Sequence, residues 1–112
     1  MKSINEKVED RGYKTYRALL TQSSTSAPVA TVIENSIGTL VWAYSSTGVY
    51  TATLVGAFTN ATTVLISNDD IDGIAGAVKT SADVVTVTTG TAATTAANGI
   101  LDGATIEIKV EL

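Results

Sequence analysis

Leu40–Val55, LVWAYSSTGVYTATLV, decides the fold. It holds the only tryptophan and two of the four tyrosines. Large side chains alternate up to a Ser-Ser-Thr-Gly turn and alternate again after it, the pattern of a β-hairpin. A three-residue loop Ser46-Thr47-Gly48, with Gly48 in the left-handed region, pairs Ser45 with Val49, Tyr44 with Tyr50, Trp42 with Ala52 and Leu40 with Leu54. All the large side chains then share one face. A four-residue loop would send Tyr50 and Leu54 to the face opposite Trp42 and Tyr44. Because a hydrophobic face fixes register, the three-residue loop is expected. Leu40, Trp42, Tyr44, Gly48, Tyr50 and Leu54 are the expected core hairpin.

The same alternation extends outward. In Tyr13–Gln22, residues Tyr16, Ala18 and Leu20 share one face, while Thr15, Arg17 and Thr21 take the other and Leu19 breaks the rule. Val29–Asn35 reads as a β-branched strand, Ser36-Ile37-Gly38 as a turn, and Phe58 as a cover for one end of the core. Thr62–Ser67 and Asp83–Thr89 read as strands, the latter with Val85 and Val87 inward. Asn68–Gly76 reads as a loop, followed by a brief strand over Val78–Thr80. Gly90–Ala97, with nothing larger than threonine, is either mobile or pressed against a neighbouring subunit. Asn98-Gly99 and Asp102-Gly103 are turn signals. In Ala104–Leu112, residues Ile106, Ile108, Val110 and Leu112 face one way. The sum is an all-β domain: a single small, jelly-roll-like β-sandwich of seven or eight short strands over residues 12–112, preceded by an N-terminal arm, residues 1–11.

The chain has 112 residues, so a single domain is expected. Aromatic residues make up only 5%, and the core expected from them is thin for a monomer and completed by oligomerisation. Neither cysteine nor histidine is present, which excludes thiolate metal sites and the commonest general base. The N-terminus shows no signal-peptide pattern, and no apolar run has membrane-spanning length. Net charge is −4 and uneven. Five of seven basic residues, Lys2, Lys7, Arg11, Lys14 and Arg17, lie in the first 17 positions, and these are the candidate partner-binding residues. The acidic remainder, with no basic stripe, argues against nucleic acid as a partner.

Catalytic and metal chemistry finds little material. Asn68-Asp69-Asp70-Ile71-Asp72-Gly73 imitates the start of an EF-hand loop, but Lys79 stands where the bidentate glutamate belongs. A loose Ca²⁺ site on Asp69, Asp70 and Asp72 remains as a candidate beside the plainer reading of a solvated acidic turn. Serine and threonine hydroxyls have no histidine or thiolate partner to activate them. Asp69, Asp70, Asp72 and Asp83 could in principle form a glycosidase carboxylate pair, in a chain short for such a cleft. No enzyme activity and no cofactor is expected. Trp42, Tyr44 and Tyr50 would form a glycan platform if they faced solvent; packed inward, they are core.

The run Tyr13–Thr59 resembles short virion-associated proteins of tailed bacteriophages, particularly those infecting Bacteroidetes. Their Y-x-x-Y-x-A-L-L-T-Q-S start matches at Tyr13, Tyr16, Ala18, Leu19, Leu20, Thr21, Gln22 and Ser23. A-P-x-A-x-V-x-E-N matches at Ala27, Pro28, Ala30, Val32, Glu34 and Asn35, and W-x-x-x-S-x-G-x-Y at Trp42, Ser46, Gly48 and Tyr50. Thr105–Val110, TIEIKV, is similar to the group's closing S/T-I-E-I-R-V. The resemblance implies a structural component of a virion assembled in the host cytoplasm. Its implied forms are a capsid decoration or head-fibre subunit, favoured as a trimer and contacting the major capsid protein, or a tail, neck or baseplate subunit. A module binding host-surface glycan is the reading from another class.

Overall fold

The computed structural model describes residues 12–68, 73–92 and 95–112. The arm, with Lys2, Lys7 and Arg11, and the acidic turn, with Asp69, Asp70 and Asp72, lie outside the described residues. Among the described residues nine strands follow in chain order: β1 (Tyr13–Thr21), β2 (Val29–Asn35), β3 (Val41–Ser46), β4 (Val49–Thr53), β5 (Thr62–Ser67), β6 (Ile74–Lys79), β7 (Val84–Ala92), β8 (Thr95–Ala96) and β9 (Thr105–Glu111). They form two antiparallel sheets in a sandwich-like fold. One has the order β2-β1-β9-β5, the other β3-β4-β7-β6, with β8 added to β7.

This order differs from the expected jelly roll, whose Greek keys carry the chain between sheets. Here β1–β2, β3–β4 and β6–β7 are hairpins inside one sheet. Turns such as Thr47-Gly48 are too short to span the ~10 Å between packed sheets, so the chain returns beside itself.

The core hairpin keeps the expected face. Tyr44 pairs with Tyr50 and Trp42 with Ala52. The spare residue, however, sits in the strand rather than the loop. Ser46, not Ser45, pairs with Val49, which leaves Thr47-Gly48 as the turn and Ser45 as a bulge. The tip closes tightly because both backbone groups of Gly48 are held from outside. Its N–H donates to Asn98 Oδ1 at 2.8 Å, and its carbonyl accepts from Thr89 N–H at 2.8 Å. Leu40 and Leu54 do not pair either. The ladder stops at Val41–Thr53, and Leu54 N–H donates instead to Asp83 O at 2.9 Å.

Alternation places the core. Tyr16, Ala18 and Leu20 from β1, Tyr50 and Ala52 from β4, Val85 and Val87 from β7, and Ile106, Ile108 and Val110 from β9 are all buried. Trp42, Tyr44 and Leu54 pack against them half-buried. Phe58 closes the end where β9 finishes, in a loop tied to the body by Phe58 N–H to Ala82 O. Leu101 closes the opposite end, where Ala104 and Gly103 bond the backbone of Leu20.

Four expectations shift. β6 starts at Ile74 rather than Val78, because pairing with β7 carries Gly76 opposite Thr88 despite its poor strand propensity. Gly90–Ala92 continue β7, and Thr95–Ala96 return along it, so these described parts of the low-complexity stretch are paired within the chain. Thr15 lies on the outer side of β1 yet is buried, its N–H donating to Ser36 Oγ at 2.9 Å in the turn after β2. Leu112 falls beyond β9 and is exposed.

Candidate functional site

At one end of the sandwich a polar knot ties three loops together. Gln22 follows β1. Its Oε1 accepts from the Tyr50 hydroxyl at 2.9 Å and from Gly99 N–H at 2.7 Å. Its Nε2 donates to Ser24 O and Ser26 O, which holds the loop before Pro28 in shape. Asn98 completes the knot, with Oδ1 taking Gly48 N–H and Nδ2 3.4 Å from the Tyr44 hydroxyl. No buried side-chain nitrogen or oxygen among the described residues lacks a partner. The knot is therefore satisfied within the chain, and satisfied polar networks make a fold unique and rigid. Burial pushes the Tyr50 hydroxyl above its ordinary 10.0, against hydrogen bonds with Thr89 and the Gly99 backbone that pull it down.

This arrangement consumes the aromatic residues. Tyr50 is fully buried, and its ring meets Tyr44 edge-on at 5.9 Å. Trp42 lies half-buried, and its indole N–H donates to the Tyr16 hydroxyl at 3.3 Å. The three rings form no flat exposed platform.

The basic residues that are described do not converge. Lys14 and Arg17 stand three apart on a strand, so they point to opposite sides of the sheet. Arg17 Nε lies 3.9 Å from Glu107 Oε2, and Lys109 Nζ 3.3 Å from Glu107 Oε1, both partly exposed contacts of small energetic weight. Asp83 Oδ1 accepts Gly56 N–H at 2.7 Å in a turn, and its candidate carboxylate partners Asp69, Asp70 and Asp72 lie outside the described residues. Among the described residues no group of three acidic, histidine or cysteine side chains is placed to hold a metal ion.

The two outer faces differ in chemistry. On the β2-β1-β9-β5 sheet, Arg17 pairs with both Glu34 and Glu107, and Lys109 lies two residues further along β9. Between the walls Ile33 and Leu65 this face carries a groove of about 290 Å³. On the β3-β4-β7-β6 sheet, the outward positions are valine, threonine, alanine, isoleucine, serine and glycine. Lys79 is the single charged residue in those strands. It pairs with Val85 on the inner side, and its ammonium reaches round to Phe58 O at 2.9 Å and Asn60 O at 3.4 Å.

Sequence reasoning missed Gln22, Asn98 and Thr89. Their partners lie as far as 80 positions away, and no local spacing announces them. What fold and surface define together is an all-β, two-sheet domain with an internally satisfied polar end and one uncharged sheet face. Comparison with family models, curated proteins and solved structures finds no match.

Proposed function

We propose that the chain is a non-enzymatic structural subunit of a bacteriophage virion: a capsid decoration or head-fibre protein, trimeric on the particle, fixed to the major capsid protein by its N-terminal arm. The observation that carries this reading is where the residues of the phage-type pattern fall. Tyr16, Ala18 and Leu20 lie in the core. Asn35 caps the turn after β2, its Oδ1 accepting from Ile37 and Gly38 N–H at 3.0 Å. Gln22, Gly48 and Tyr50 build the polar knot. Much of the resemblance thus rests on residues that set the frame, although Leu19, Thr21, Ser23, Ala27, Val32 and Ser46 of the same pattern are exposed, and this supports a shared architecture. An acidic body suits the outside of a capsid rather than its DNA-facing wall.

The test mixes the recombinant chain with undecorated particles of the phage that encodes it and sediments them. Co-sedimentation of the full chain with heads, lost on removal of residues 1–11, supports the reading. Labelled antibody binding to tails or baseplates instead of heads moves the protein to the tail, neck or baseplate class. No association with any particle overturns the virion reading.

A further inference from the structure

We infer that copies of this chain assemble through the outer face of the β3-β4-β7-β6 sheet, an inference that stands whether or not the protein belongs to a phage particle. Two rows cross the centre of this face. Ala43, Thr51, Thr86 and Val78 make one, and Val49 and Thr88 lie in the next. Val78 is 60% exposed.

Charge decides what the face can meet. A chain of net charge −4 repels its own copies through most of its surface. Among the described residues of this face no charge opposes approach and none must be desolvated, because Lys79 is drawn away to the Phe58 and Asn60 carbonyls. A strongly charged partner finds no counter-charge on the face. A lipid surface would leave the threonine hydroxyls without partners and finds no aromatic anchor. A second copy brings the same flat, β-branched surface, and each threonine hydroxyl both donates and accepts. That is self-complementarity of the kind by which sheets pack about 10 Å apart. The charged outer face of the other sheet lacks it.

Size sets the strength. Four strands at about 4.8 Å spacing, over six residue steps of about 3.3 Å, give a footprint of roughly 400 Å² per copy before side-chain relief. Stable interfaces take about 800 Å² from each partner; this patch supplies about half of that, so the association it drives is weak and depends on concentration.

Light scattering with size-exclusion chromatography on the full chain, from about 5 to about 500 µM, tests the inference over the range such a patch commands. The expected result is a mass that rises with concentration above the 11.5 kDa of one chain. The double variant Thr51→Lys, Thr86→Lys is expected to remain at one chain throughout. Thr31→Lys, on the outer side of edge strand β2, is expected to assemble like the parent. A parent that stays monomeric, or a double variant that assembles as well as the parent, overturns the inference. Should the double variant fail to fold, the cysteine-free chain allows a clean alternative. Thr86→Cys reacts with a thiol reagent at low concentration and is expected to be shielded at least fivefold at high concentration; equal reactivity at both overturns the inference.

Discussion

Gly48 carries two constraints at one residue. Its φ of +68° favours glycine, and a Cβ there would meet the Thr89 carbonyl oxygen, with Ala97 N at 3.0 Å and Ala96 Cβ at 3.2 Å. Gly99 has the first constraint without the second: φ is +86°, with nothing within 4 Å. Gly99→Ala should therefore lose about 1 kcal/mol from backbone conformation alone. Gly48→Ala should lose roughly 2–4 kcal/mol, since the hairpin beside it must also move. Urea midpoints of the two variants measure the difference, and equal losses would remove the steric part of the account. Tyr50 adds a pH dependence. Burial raises its folded-state pKa above 10.0, so the folded state holds the phenolic proton more tightly than the unfolded chain does. The resulting contribution is complete below pH 10 and is lost as pH rises above it. Stability of the parent should then decline more steeply above pH 10 than that of Tyr50→Phe. Parallel curves from denaturant titrations would contradict this.

Among the elements, β9 has the most to hold. It lies in the middle of its sheet, paired with β1 on one side and β5 on the other, and sends Ile106, Ile108 and Val110 into the core. Ile108→Ala should destabilise by about 2–5 kcal/mol through lost burial and a cavity. Leu112→Ala, just past the strand and exposed, should change stability by less than about 0.5 kcal/mol. A thermal melt of each separates them, and a similar effect from both would mean that β9 is not the centre of the sheet. This strand was the plainest to read, because period-two alternation with one buried face is a local signal. β2 and β5 were legible with their full bounds for a different reason, their β-branched composition, β2 having no buried residue at all. β6 was not: Gly73-Ile74-Ala75-Gly76 carries turn composition, and only its ladder with β7 makes it a strand. Nor was Ser45, since a bulge and a longer loop give the same register beyond Tyr44–Tyr50. Ile100 and Leu101 are buried between two glycine turns whose composition reads as surface. The candidate site was the least legible of all. The knot of Gln22, Tyr50 and Asn98 is assembled by topology, and the uncharged face emerges only when alternate residues of four strands are laid side by side.

At the scale of the whole molecule, the described body is closed without the arm. β1 begins at Tyr13, its ladder partner Glu111 is present, and both ends of the core are covered by Phe58 and Leu101. The arm's sequence, in contrast, mixes Lys2, Lys7 and Arg11 with Glu6, Glu9 and Asp10. Folding and attachment should therefore separate. A chain lacking residues 1–11 should melt within about 2 °C of the parent, the shift left by a stability change below about 0.5 kcal/mol in a domain of this size. If the arm binds an acidic capsid surface through its basic residues, attachment of the full chain should weaken strongly between low salt and about 0.5 M salt, where the screening length falls to about 4 Å. Sedimentation with particles at several ionic strengths measures the second effect, and differential scanning calorimetry the first. A truncated chain that melts many degrees lower would show that the arm packs on the sandwich and stabilises it. Particle binding indifferent to salt would transfer the contact to apolar surface, with the uncharged sheet face then competing for the same role as an inter-copy contact. Occupancy measured on particles with the Thr51→Lys, Thr86→Lys variant would decide between those two uses of the face. Undiminished attachment by this monomeric form leaves the face to copies of the chain, whereas lost attachment at concentrations where the parent is also monomeric assigns it to the capsid.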